Sequence, residues 1–109
     1  MGLLTMRAGD LDRRASIQEL TRTPDGGGGY DIIWQERASL WAAVQQMNGK
    51  EFLTGGGVQA QRRIVFRVRW LDWITPKHRV AYDGRIHEIH EVRELGRRAG
   101  LELHTTSLE

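Results

Sequence analysis

Arg62-Arg63-Ile64-Val65-Phe66-Arg67-Val68-Arg69-Trp70 places Ile64, Phe66, Val68 and Trp70 at every second position, with Arg63, Val65, Arg67 and Arg69 between them. Side chains of an extended chain alternate between its two faces, so this stretch predicts a strand with one buried and one solvated side. A slip of one residue would send three arginines into the core and four large apolar groups into water. The pairing register is therefore strongly specified.

Downstream, Arg79-Val80-Ala81-Tyr82 and Arg85-Ile86-His87-Glu88-Ile89 flank Asp83-Gly84. That dipeptide tolerates the positive φ angles of a two-residue type I′ turn, which predicts a hairpin running on to Val92. Between the two strand regions, Leu71-Asp72-Trp73-Ile74-Thr75-Pro76 turns the chain, with Trp73 and Ile74 expected to close one end of a barrel. Leu101-Glu102-Leu103-His104-Thr105 alternates again after the polar turn Arg97-Arg98-Ala99-Gly100 and predicts the last strand.

Upstream, Ala38–Gln46 puts Leu40, Ala42 and Val44 on one face and Ser39, Trp41, Ala43 and Gln45 on the other, a strand led in by Tyr30 and Trp34 with Trp41 turned away from the core. Ala15 and Ile17 mark a first strand over Arg14–Arg22, with a bulge expected near Glu19. Between these two strands lies Thr23-Pro24-Asp25-Gly26-Gly27-Gly28-Gly29, which predicts an exposed, mobile loop. No Gly-Lys-Ser/Thr follows it, so it is no phosphate-cradling loop. Residues 49–61 are expected to form a long connection, with one helical turn at Lys50-Glu51-Phe52-Leu53-Thr54 before Gly55-Gly56-Gly57 interrupts it. The predicted fold is thus mainly β: a small antiparallel barrel or sandwich of five to six strands with one short helix and long Gly-rich loops. Met6 is read as an alternative start and Leu108-Glu109 as a cloning scar. Residues 1–12 are then a flexible N-terminal segment, 13–106 one domain and 107–109 a tail.

Composition excludes several classes of function. With 109 residues and no cysteine, the chain suits one domain without disulfides or thiolate metal sites, and no apolar run is long enough to span a membrane. Sixteen Lys plus Arg against fourteen Asp plus Glu leave a formal charge of +2, a small excess for a dedicated nucleic-acid binder. His87 and His90 are three apart, a spacing that aligns side chains on a helix but separates them on a strand, and no carboxylate or cysteine completes a metal set. The histidines are expected at the surface, and His87 with Glu91 is no acid–base pair. Ser16, Ser39 and Ser107 lie in strand or tail contexts without a nucleophile elbow. No enzyme, metal or cofactor is expected. Arg63, Arg67 and Arg69 project from one predicted face and form a DNA-facing set. Phe66 and Trp70, the aromatics that would stack bases, alternate to the buried side, which weakens the alternative of a single-stranded nucleic-acid-binding barrel.

The order of the pieces resembles the phage head–tail joining proteins, the small stopper or adaptor subunits of tailed phages and prophages. The residues that carry the resemblance are Met6-Arg7-Ala8-Gly9-Asp10-Leu11 with Arg14-Ala15-Ser16-Ile17-Gln18, then Trp34, Leu40-Trp41-Ala42-Ala43-Val44, and Asn48-Gly49-Lys50-Glu51. Ile64 to Trp70, Arg79-Val80, Asp83-Gly84-Arg85-Ile86-His87-Glu88-Ile89 and Val92 complete it. The resemblance implies a small barrel with a short helix, acting in a ring of six or twelve copies that joins portal and adaptor to tail-completion proteins and retains packaged double-stranded DNA. It also implies a virion location after assembly in the host cytoplasm. The implied channel loop comprises Gly49, Lys50, Glu51, Phe52, Leu53, Gly55, Gly56 and Gly57, and the implied inter-subunit loop comprises Asp25, Gly26, Gly27, Gly28, Gly29 and Tyr30. Both loops are expected to be disordered in the free subunit and to order on assembly.

Overall fold

The strand centred on Phe66 lies in the wall of a closed barrel, bonded on both edges. The computed structural model describes residues 8–54 and 57–108, without the side chains of 8, 48–54, 57–61 and 108. Six strands follow a 3-10 turn at Ala8–Asp10: β1 Arg13–Pro24, β2 Tyr30–Thr54, β3 Gly57–Val68, β4 Arg79–Tyr82, β5 Arg85–Leu95 and β6 Gly100–Leu108. Their order around the barrel is β1-β2-β3-β6-β5-β4, all antiparallel, and β4 returns to β1 between Ser16↔Ala81 and Gln18↔Arg79.

The alternation read from the sequence supplies the core. Ile64, Phe66 and Val68 of β3 meet Ala15 and Ile17, Ala42, Val80, Ile89, Leu101 and Leu103, with Trp70, Leu71 and Trp73 packed against them. Phe66 is fully buried and meets Tyr82 edge to face, ring centroids 5.4 Å apart. Thr105, also buried, donates its hydroxyl to the Ile64 carbonyl at 2.8 Å, which satisfies that buried group. The Asp83-Gly84 turn has φ of 52° and 74°, as its type requires.

Several expectations are corrected. Residues 49–54 and 57–61 are not a loop, and 50–54 are not helical: β2 and β3 continue as a ladder from Lys50↔Gln61 to Thr54↔Gly57. A five-residue helix cannot recover its nucleation cost, whereas each paired residue here gains a cross-strand partner. Asn48-Gly49 does not end the strand but falls in a register shift between Met47 and Lys50. Among the described residues the only helical element is the turn at Ala8–Asp10. The bulge in the β1–β2 ladder is real but its extra residue, Arg37, belongs to β2, because Ile17 pairs with Ala38 and Gln18 with Glu36. Val65 is buried despite its place on the outer face, flanked across the strands by the long side chains of Gln45 and His104. β6 runs through Ser107 to Leu108, beyond the expected end at 106.

The histidines are not all at the surface either. The turn sets Tyr82 opposite Arg85, and hence Val80 opposite His87 and Ala81 opposite Ile86. Cross-strand partners share a face, so His87 follows Val80 into the core while Ile86 is left exposed. His87 lies edge-on to Phe66 at 5.4 Å, and neither ring nitrogen has a hydrogen-bond partner. His78 is buried as well, between β3 and β4.

Candidate assembly surface

β2 is 25 residues long, about 80 Å if straight at ~3.3 Å per residue, against a longest molecular dimension of 57 Å. It therefore bends, and its two irregularities, at Arg37 and between Met47 and Lys50, are where the ladder yields. Each end of β2 forms a hairpin. Toward β1, Glu19–Pro24 and Tyr30–Glu36 pair only with each other, because β4 reaches β1 only from Ser16 to Gln18 and β3 reaches β2 only from Ala43 onward. This two-stranded ribbon projects from the barrel with both outer edges unpaired. Toward β3, the ladder runs out to Thr54↔Gly57 past the last β6 partner, Gln61↔Leu108.

The residues read as an inter-subunit loop make up the turn of the ribbon. Asp25 Oδ1 accepts from the backbone N–H groups of Gly27 at 2.8 Å and Gly29 at 3.1 Å, and the Asp25 N–H donates to the Gly29 carbonyl at 3.1 Å. Gly26 and Gly28 take positive φ, 86° and 89°, which explains glycine at those two positions. Tyr30 opens β2 and is 63% exposed. Of the residues read as a channel loop, Gly49, Lys50, Glu51, Phe52, Leu53 and Gly57 lie on the backbone of the second hairpin, while Gly55 and Gly56 lie outside the described residues. The structure thus separates the two sets to opposite ends of β2 instead of gathering them at one site.

A cluster pins the root of the ribbon. The guanidinium of the bulge residue Arg37 lies 4.2 Å over the Trp73 ring, His78 meets the same ring edge to face at 5.4 Å, and Glu19 lies 3.3 Å from Arg37 Nη1 and 3.6 Å from His78 Nε2. His78 Nδ1 accepts the Thr75 N–H at 3.1 Å, which leaves the proton on Nε2, facing Glu19. Trp73, expected to close a barrel end, is partly buried and packs against the core. All four tryptophans carry an arginine in this manner: Arg14 over Trp41, Arg79 over Trp34 and Arg98 over Trp70 lie at 4.7, 4.1 and 4.6 Å. Sequence reasoning missed this pairing, which joins residues far apart in the chain.

The DNA-facing set is only partly available. Arg63 and Arg67 share the outer face of β3, but Arg67 Nε donates to Glu102 Oε2 at 3.0 Å. Burial works to raise the Glu102 pKa, yet hydrogen bonds from His104 and Arg67 outweigh it and hold the carboxyl below the usual range. Arg63 is half-buried, and Arg69 is exposed just beyond the strand.

The sequence-distant feature that reasoning from the chain overlooked is the ribbon's apolar face. Register places Leu20 beside Trp34, Arg22 beside Ile32 and Pro24 beside Tyr30, so these residues share one face. Leu20, Ile32 and Tyr30 are 52, 62 and 63% exposed. Alternation at Tyr30, Ile32 and Trp34 was the available signal.

A small closed barrel throws out hairpins from both ends of one long strand, brings no metal-holding group of His, Cys, Asp or Glu together among its described residues, and leaves large apolar side chains exposed on the ribbon. Comparison with known proteins places the fold: the phage head completion protein family matches residues 6–108. The chain belongs to that family. Among solved structures, this family member resembles a chain in the virion of a native gene transfer agent particle. The TM-score is 0.72 at 26% identity, over 91% of this chain and 96% of that one. It also shares its fold with a protein of Shigella flexneri 2a solved in solution, TM-score 0.69 at 23% identity, over 94% and 96% of the two chains. Among curated proteins none matches the sequence.

Proposed function

We propose that this head completion family member is a ring-forming structural subunit of the head–tail connector, seated as a stopper or adaptor layer between portal and tail. It acts as a homo-oligomer of six or twelve copies, contacts portal or adaptor and tail-completion proteins, and helps retain packaged double-stranded DNA without reading its sequence. The observation that carries this reading is the likeness, over nearly the whole chain, to a chain of a gene transfer agent virion. The geometry agrees with it: hairpins at both ends of β2 suit interleaving with neighbours, and the 49–57 hairpin end supplies a segment long enough to approach a channel. In this reading the protein meets its partners in the host cytoplasm and remains in the virion.

A nucleic-acid-binding module receives less support, because Arg67 is engaged by Glu102 and Phe66 is in the core. Electron microscopy of particles made with and without the gene tests the connector reading. Tail-less heads that have lost their DNA are expected without it; filled, tailed particles lacking the protein would end the proposal.

A further inference from the structure

We infer that the apolar face of the β1–β2 ribbon in one copy seats in a trough on the outer barrel wall of the next copy. This rests on the ring reading above and names the surfaces that make the ring. The trough follows from register: Ser39, Ser16, Ala81 and Ile86 are successive cross-strand neighbours on β2, β1, β4 and β5. Three small side chains in a row leave a depression of about 260 Å³, bordered by Arg14 and Arg85. That is below the ~300–1,000 Å³ typical of small-molecule sites and suits one or two inserted side chains. Ile86 at its edge is 40% exposed, and Trp41, next to Arg14, is 52% exposed.

The occupant is specified by complementarity. The ribbon presents Leu20, Tyr30 and Ile32, a large exposed apolar set of the kind that anchors interfaces. Arg22, on the ribbon's apolar face, is matched by Asp83, the one carboxylate of the trough lining. Knob and trough are different surfaces of one chain, so the contact is head-to-tail and repeats from copy to copy, closing into a ring when the rotation permits. Ribbon against ribbon would stop at a dimer.

The chain has no cysteine, so introduced thiols report cleanly. Tyr30→Cys and Ser39→Cys alter exposed side chains. Treated with a short bis-maleimide, each single variant alone should stay uncross-linked, their mixture should give a dimer, and the double variant should give a ladder ending at the ring. Ile32→Glu should abolish the ladder while leaving the circular dichroism spectrum unchanged. Tyr30→Cys linking to itself would overturn the head-to-tail contact. Oligomers of ring mass by light scattering, without any link between positions 30 and 39, would overturn this interface and leave the ring reading standing. A monomer at every concentration, with no link, would remove both.

Discussion

At the scale of single residues, burial decides more than chemistry. Phe66 fills the barrel centre between β4, β5 and β6, and Phe66→Ala should cost about 3–5 kcal/mol, read as a lower denaturant midpoint. Phe66→Leu should lose a fraction of that. His87 makes a different demand. Burial pushes its pKa below the ordinary 6.5, with the charges of Arg62 and Arg85 acting in the same direction. Above that pH the ring is neutral in both folded and unfolded chains and its titration adds nothing to the pH dependence of stability. Below it the unfolded chain takes up a proton that the folded barrel resists. Stability should therefore fall as pH drops from about 6.5 toward the lower folded value. Chemical denaturation of wild type and His87→Phe at pH 7.5 and 5.5 checks this: the variant should lose less on acidification, and equal losses would place the sensitivity elsewhere. The burial of His87 was not legible in its own neighbourhood, where Ile86 looks the better core residue. It follows from the turn at Asp83-Gly84, which pairs His87 with Val80.

At the scale of elements, turns and bulges set what the strands do. Gly84 has φ of 74° with open space around its missing Cβ, so Gly84→Ala is strained by backbone conformation alone. A loss of about 1–2 kcal/mol is expected in thermal or chemical unfolding. Gly27→Ala would meet Asp25 Oδ1 at an ordinary 3.7 Å without a left-handed φ and should be nearly neutral. The ribbon is a two-stranded hairpin, an element with marginal stability by itself, and Arg37 ties it to Trp73 and Glu19. Arg37→Ala should therefore speed amide exchange across residues 19–24 and 30–36 while leaving β3 and β6 protected; unchanged exchange in the ribbon would show the tie to be dispensable. The Gly-rich turn was legible as a turn from Pro24, Asp25 and four glycines. Its compactness was not, because the Asp25 carboxylate that organises it has equally good partners in water.

At the scale of the whole molecule, charge pairing predicts weak binding to DNA. Of Arg63, Arg67 and Arg69, Arg67 is offset by Glu102. In a salt titration of short DNA duplexes by fluorescence anisotropy, the log–log slope should be shallow, about −0.9 per phosphate contacted and no more than about two contacts, with no preference for single strands. A steep slope with single-strand preference would favour a dedicated binding module instead.

Local chemistry was enough to establish the strand at Ile64–Val68, the hairpin at Asp83-Gly84 and the alternating last strand, because period-2 patterning and a two-residue turn act over a few residues. It was also enough to place Trp41 on the outside. Only the tertiary structure decided that 50–54 extend as strand instead of coiling, since their partners across the ladder lie on the far side of Gly55 and Gly56. The same holds for the Arg37 bulge and the arginine over each tryptophan. Each depends on a pairing register or a contact between distant segments, and no residue's own propensity encodes which stranger it will face.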